Sequence, residues 1–229
     1  MPACESFRVA LSAPGAVSSV SAEVWSHDID AGPVVLLAHG AGSRVDHPVH
    51  RGVASAIAAT ATVVAFNFSY SEAGRRAPDL APRLLDCYRD VAAWAGARFP
   101  GRPLIAAGRS MGGRMASILA SQGYPFAGLV LLNYPLVAAR GGAAKPRVDH
   151  WPLISAPVLF VHGTRDRLFP EDVFAASRPL LRARHAVHIV DDADHVFAVP
   201  KRAQRTPADV YAEVGRAVGA WLADLAVVA

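Results

Sequence analysis

Three residues able to do covalent chemistry together stand far apart in the chain: Ser110, Asp166 and His195. Ser110 lies in Gly108-Arg109-Ser110-Met111-Gly112, between an apolar run (Leu104–Ala107) and a helix-forming run (Met111–Gln122). A glycine inside a helix costs about 0.8–1 kcal/mol relative to alanine. Glycines crowded around one serine therefore need a reason. A very tight strand-to-helix turn supplies it. Such a turn exposes the hydroxyl above the sheet and strains the serine backbone by about 1–3 kcal/mol. Side chains two residues to either side would collide. The helix N-terminus beneath favours developing negative charge.

A serine hydroxyl is a poor nucleophile without a base, and the base needs an orienting acid. On this kind of turn the partners follow in the order nucleophile, acid, base, each after a later strand. His162-Gly163-Thr164-Arg165-Asp166 follows the apolar run Val158–Val161, and Asp191-Asp192-Ala193-Asp194-His195 follows Val187–Val190. Asp166 is the expected acid and His195 the expected base. Asp191, Asp192 and Asp194 are alternative acids, but they lie too near His195 in sequence to support it from another strand end. Acyl transfer also needs two N–H donors aimed at the developing oxyanion. Met111 is one. Ala41, in His39-Gly40-Ala41-Gly42, is the other, with Gly42 the second choice. Gly42, Arg109 and Tyr134 are expected to touch substrate, and His39 to be structural. Arg109, with Arg44 and Arg51, would favour an anionic substrate, although solvated arginines are the commoner case.

Short apolar runs alternate with helix-length segments throughout. The strands are read at Arg8–Ser12, Ala22–Ser26, Val34–Ala38, Val63–Phe68, Leu104–Ala107, Leu129–Asn133, Val158–Val161 and Val187–Val190. Helices are read at His47–Ala59, Leu80–Arg98, Met111–Gln122, Glu171–Leu181 and Ala208–Leu225. Unbroken apolar strands alternating with helices indicate an α/β fold, a doubly wound and mostly parallel sheet of about eight strands. No linker or repeat divides residues 1–229, so one domain is expected. Ligands of such sheets sit at the carboxyl ends of strands, where Ser110 and two His-Gly pairs (39–40 and 162–163) fall. Glu72, Arg75 and Arg76 read as a polar cluster fixing a loop.

The chain has 229 residues, is 52% hydrophobic and carries a net charge of +4. Its arginines are scattered and its densest basic patch, 201–205, has no interleaved aromatics, so no nucleic-acid partner is expected. No apolar run approaches the roughly 20 residues of a membrane span. The N-terminus lacks a basic-then-apolar secretory pattern, and two cysteines, Cys4 and Cys87, make no disulfide framework. A cytoplasmic location is the simplest expectation. Asp46, His47 and His50 have metal-ligand chemistry but no specific spacing. Gly40-Ala41-Gly42 lacks the third glycine and the distal acid of a dinucleotide fingerprint. Neither a metal nor a cofactor is expected, and the sequence does not set an oligomeric state.

At these residues the sequence resembles the α/β-hydrolase superfamily, in its small dienelactone-hydrolase-like branch. More narrowly, it resembles the group containing the testis-expressed α/β-hydrolase-like protein and a subunit of a histone acetyltransferase complex. LLAHGAGSRVDHP (36–48), FNFSYSEAGRRAPD (66–79), GRSMGGRMAS (108–117), LLNYPL (131–136) and VHGTRDRLFP (161–170) carry that likeness. The resemblance implies an α/β-hydrolase fold, a Ser110–Asp166–His195 triad, and an oxyanion hole from Met111 and Ala41. The implied activity is a serine hydrolase acting on a small carboxylic ester or thioester. Some relatives serve as interaction subunits, so a non-catalytic binding module is the alternative. Dienelactone hydrolases proper typically use a cysteine nucleophile, and Ser110 argues against that narrow activity. Larger hydrolases insert a helical lid where this chain has only the 20 residues Val137–Ala156. A minimal cap or none, and an open site, are expected.

Overall fold

The computed structural model describes residues 2–26, 32–138 and 145–228. Its elements in chain order are β1 (Ala3–Ala10), β2 (Ser19–Ser26), β3 (Val34–Ala38), α1 (Pro48–Ile57), β4 (Thr62–Phe66) and α2 (Ser69–Glu72). Then follow α3 (Ala81–Arg98), β5 (Leu104–Arg109), α4 (Met111–Ser121), β6 (Gly128–Leu132), β7 (Val158–Gly163), α5 (Glu171–Ser177), β8 (His185–Val190) and α6 (Pro207–Val228). The eight strands form one sheet in the order β1-β2-β4-β3-β5-β6-β7-β8. β1 and β2 pair antiparallel, as do β2 and β4; all later pairs are parallel.

The unbroken apolar runs have a direct cause. β3, β4 and β6 are buried at every position, because helices cover both faces of a parallel sheet. Leu36 and Ala38 face the layer of α3 and α4, with Tyr88, Val91, Met115 and Leu119. Val35 and Leu37 face the layer of α1 and α6, with Val53, Ile57, Val214 and Val218. Alternation within each strand thus divides the apolar residues between two cores. Both layers leave the strand tips free to carry chemistry.

Tyr88 ties the central strands together from below. Its ring is fully buried. Its oxygen lies 2.8 Å from the Leu36 carbonyl oxygen and 2.9 Å from that of Ala107, and it accepts the Ala107 N–H at 3.0 Å.

Several boundaries differ from the sequence reading. The first hairpin pairs Ala3–Ala10 with Ser19–Ser26, not Arg8–Ser12 with Ala22–Ser26. Only Val9 of β1 is buried, so an apolar scan underweights an exposed edge strand. α5 ends at Ser177, and Arg178–Leu180 is a single 3-10 turn. Pro179 explains this: Arg178 before it keeps helical dihedrals, but proline has no N–H to donate to the Ala175 carbonyl and so cannot continue the α-helical ladder. α2 had no periodicity to reveal it, being one turn long. Residues 139–144 of the short stretch Val137–Ala156 lie outside the described residues. The described remainder of that stretch contains one 3-10 turn, Trp151–Leu153.

Tyr88→Phe removes the hydroxyl that meets the Ala107 N–H and the two carbonyls. The urea midpoint should fall by the equivalent of about 0.5–1.5 kcal/mol with an unchanged denaturant slope. An unchanged midpoint would show that the hydroxyl does not tie these strands.

Candidate active site

The serine turn is built by close approach. Ser110 adopts φ 53° and ψ −116° at the N-cap of α4, a region that non-glycine residues rarely occupy. A Cβ on Gly108 would overlap the Gly112 backbone. One on Gly112 would sit 2.5 Å from the Ala38 carbonyl oxygen. The two glycines therefore let α4 start directly against the ends of β3 and β5. The Ser110 N–H donates to the Leu132 carbonyl at 2.8 Å, which anchors the turn to β6.

The structure brings Ser110, His195 and Asp166 together. His195 Nδ1 lies 2.9 Å from both Asp166 carboxylate oxygens, and its Nε2 lies 2.9 Å from Ser110 Oγ. A carboxylate can only accept, so Nδ1 carries the proton and Nε2 is free to accept from the serine hydroxyl. The Asp166 side chain is fully buried, and Oδ1 also accepts the Leu168 N–H at 2.9 Å. The alternative acids are occupied elsewhere. Asp191 Oδ1 caps its own loop, accepting the Asp192 N–H at 3.0 Å, and Asp192 pairs with Arg202. Asp194 Oδ1 accepts the N–H groups of Val196 and Ala198 and shapes the loop that presents His195.

Two further features fix that loop. Gly163 lies so close to Ala193 that any Cβ would overlap its carbonyl, and the Arg165 N–H donates to the Ala193 carbonyl at 2.9 Å. Asn133, left-handed at φ 45°, donates from Nδ2 to the His195 carbonyl at 3.0 Å. The sequence reading assigned no role to Asn133. Asparagine tolerates left-handed backbone better than most residues, and its place at a strand end was the one available signal.

The loop after β3 is held by the segment after β4. His39 Nε2 accepts the Phe68 N–H at 3.2 Å, and its Nδ1–H donates to the Gly40 carbonyl at 2.8 Å. Burial pushes its pKa down to about 4, and the charges of Arg109 and Arg44 add to this. His39 is thus a neutral structural strut. Val45 N–H donates to Asn67 Oδ1 at 2.8 Å, and the Ser71 hydroxyl donates to the Ser43 carbonyl at 3.0 Å. Glu72 braces this platform through Asn67, Ser21 and Arg8. Burial opposes its ionisation, but those hydrogen bonds win and hold its pKa at about 2. Arg75 pairs with Asp79.

A cleft of about 410 Å³ opens beside Ser110, and Ala41, Met111, Arg109 and His195 line it. Met111 is the first residue of α4, where N–H groups have no partner within the helix. Two expected substrate contacts are corrected. The Tyr134 side chain is fully buried against Trp151 and Phe160, and its hydroxyl donates to the Arg147 carbonyl at 2.7 Å. The left-handed turn at Asn133 sends the next side chain into the core. The Gly42 N–H donates to the Tyr70 hydroxyl at 3.2 Å, so it is already committed. Arg44 and Arg51 pair with Asp46 and Glu23 away from the cleft. Arg114 and Arg147, which the sequence reading missed, do line it. Asp46, His47 and His50 do not converge: His47 caps α1 through the Val49 N–H, and His50 is buried.

A family model described as "Alpha/beta hydrolase domain" matches residues 31–223. Among solved structures, dienelactone hydrolase from Anabaena variabilis is similar over 97% of this chain and 98% of its own, with TM-score 0.77 and 17% identity. Est1E from Butyrivibrio proteoclasticus matches over 97% and 99%, with TM-score 0.73 and 13% identity. XC6422 from Xanthomonas campestris, described as an α/β serine hydrolase without lid, matches over 95% of each chain, with TM-score 0.70 and 21% identity.

Two buried imidazoles predict acid lability. Burial holds His39 at about 4 and His50 well below the ordinary histidine value, with His39 and Arg109 adding to the shift of His50. In the unfolded chain both titrate near 6.5. Between about pH 6.5 and 4 the unfolded state therefore holds more protons than the folded one. Stability should be full above pH 7 and fall through that window, by about 1.4 kcal/mol per pH unit for each histidine. His50→Leu should flatten the slope of the urea midpoint against pH. An identical slope would contradict a buried neutral imidazole at position 50.

Proposed function

The chain belongs to the alpha/beta hydrolase domain family, and on that premise we propose that it is a serine hydrolase cleaving small carboxylic esters or thioesters. The observation carrying the reading is the continuous relay Ser110–His195–Asp166, each link 2.9 Å, at the mouth of a cleft.

The chemistry follows from the geometry. Ser110 Oγ attacks the substrate carbonyl carbon while its proton passes to His195 Nε2. The ionised Asp166 holds the Nδ1 proton and stabilises the imidazolium. The carbonyl oxygen becomes an oxyanion facing the N–H groups of Met111 and Ala41 and the positive end of α4. The tetrahedral intermediate collapses, the carbon–oxygen or carbon–sulfur bond breaks, and His195 gives its proton to the leaving alkoxide or thiolate. Water then repeats the sequence on the acyl-enzyme. It loses a proton to His195 as it adds to the acyl carbon; the carbon–Ser110 Oγ bond then breaks, His195 returns that proton to Oγ, and the carboxylic acid leaves.

The catalytic residues proposed are Ser110, His195 and Asp166, with Met111 and Ala41 as oxyanion donors. Asn133 and His39 are positioning residues. The motifs quoted above support a closer kinship with the testis-expressed and acetyltransferase-subunit-like group. Among the described residues, no helix is long and apolar enough to cross a membrane. Cys4 and Cys87 are unpaired, which supports a reducing, cytoplasmic setting. The proposed partner is a small acyl substrate, with no nucleic acid, membrane, metal or cofactor required.

A fluorophosphonate probe should label the wild-type protein, and Ser110→Ala should abolish labelling and lower ester turnover by at least about 10³-fold. Asp166→Asn should keep the fold and lower kcat by about 10³–10⁴-fold, since it disturbs the His195 tautomer. A wild-type protein inert to the probe and to a panel of short-chain esters and thioesters would instead favour a non-catalytic binding module.

A further inference from the structure

Surface arginines of this chain commonly find acids. Arg75 pairs with Asp79, Arg89 with Asp86, Arg184 with Asp224 and Arg202 with Asp192. Such exposed pairs contribute little to stability. The cleft beside Ser110 shows the reverse. Arg109, Arg114 and Arg147 all line it, and among the described residues none of their guanidinium groups meets a carboxylate or another protein acceptor. Arg109 is 7% exposed. The Nε atoms of Arg109 and Arg114 are enclosed with no acceptor. Buried cations are normally paired, because desolvation is costly. Burial lowers the Arg109 pKa, with only the more distant Tyr211 and Asp194 opposing.

The neighbouring acids do not neutralise this group. Among the described residues, no Asp or Glu lines the cleft. Asp166 lies behind His195 with its oxygens engaged, Asp194 Oδ1 accepts two loop N–H groups, and Asp149 pairs with Lys145. The three arginines thus share the lining of one cleft with the nucleophile, and among the described residues none of them forms an ion pair. Guanidinium groups match carboxylate and phosphate oxygens through paired N–H donors.

We propose that the cleft selects acyl substrates bearing a second, anionic group, a carboxylate or a phosphate, which Arg114 and Arg147 bind while Arg109 keeps the adjoining wall positive. This rests on the serine-hydrolase reading for turnover, but the anion site itself is testable without catalysis.

Two matched ester pairs probe the two sources of charge. Monomethyl against dimethyl glutarate tests a carboxylate on the acyl side. Acetylated glycerol 3-phosphate against monoacetylglycerol tests a phosphate on the alcohol side. In at least one pair the anionic ester should show a kcat/KM about tenfold or more above the neutral one, mostly through KM, with the advantage shrinking as salt rises. Arg114→Gln and Arg147→Gln should each cut that ratio about tenfold, the size of one charge-assisted hydrogen bond. The pair that responds identifies the anion. Independently, calorimetry on the Ser110→Ala protein should detect saturable binding of glutarate or glycerol 3-phosphate, weakened by Arg114→Gln. Failure of hydrolysis with anion binding intact would remove the hydrolase reading and leave the anion site. No binding of either anion, or a ratio unmoved by both arginine variants, would overturn the proposal.

Discussion

The serine backbone at position 110 is the constraint to which the rest of the structure answers. A φ of 53° with ψ of −116° stores on the order of 1–3 kcal/mol, and an isolated turn would relax. Here it cannot, because its neighbours leave no alternative path. Gly108 and Gly112 touch backbone to backbone, and Gly112 also lies against the end of β3. Any outward movement of α4 would break the Ser110 N–H bond to Leu132 and uncover the face of β5 on which α4 packs. The strain is local, whereas the packing that opposes its relief extends through the core shared by α3 and α4.

From that fixed hydroxyl, the remaining parts are set by loops whose backbones are tied by side chains. Two strand ends use the same device. His39 and His162 each point Nδ1 at the carbonyl of the following glycine, at 2.8 Å and 3.4 Å. His39 then grips the backbone after β4, and His162 stacks on Phe169 with ring centroids 4.0 Å apart. Each histidine braces one loop of the candidate site, the loop after β3 in the first case and the Asp166 turn in the second. Neutral imidazoles suit this, since they donate and accept at once. The same choice makes the site lose stability as the pH falls into the mildly acidic range.

What could be read in advance separates along physical lines. Chemistry that depends on chain order and strand ends was visible: Ser110, Asp166 and His195 each follow an apolar run, and the runs survive because the sheet is buried on both faces. The parallel strands were placed within about two residues for the same reason. Exposed edge elements were less visible, as β1 shows, because they bury too little to leave an apolar pattern. Tyr134 was misplaced because a residue past a strand end was expected to face the cleft, and the left-handed Asn133 redirects it. Arg114 was within reach, lying four residues after Ser110 on α4, so that it lies on the same helical face one turn on. Arg147 left no local signal. It arrives by the return of the chain from β6, a tertiary event that neither periodicity nor motif encodes.

That division bears on where specificity resides in a small site. The proposed relay and oxyanion donors come from strand tips held by the sheet, and in that role they would recognise only a carbonyl and its developing charge. Whatever tells one ester from another must come from elements around them. Among the described residues between β6 and β7 there is only one 3-10 turn, Trp151–Leu153, which offers no helical layer to wrap an acyl chain. Among the described residues, Met111, Pro135, Leu168 and Val196 are the larger apolar side chains lining the cleft, too few to bury much apolar surface. Long-range charge does not need enclosure to act, and partly desolvated guanidinium groups act more strongly than fully hydrated ones. A cleft with few large apolar side chains and unpaired arginines is therefore suited to discriminate by charge rather than by shape, and the substrate would supply the counter-ion that the protein withholds.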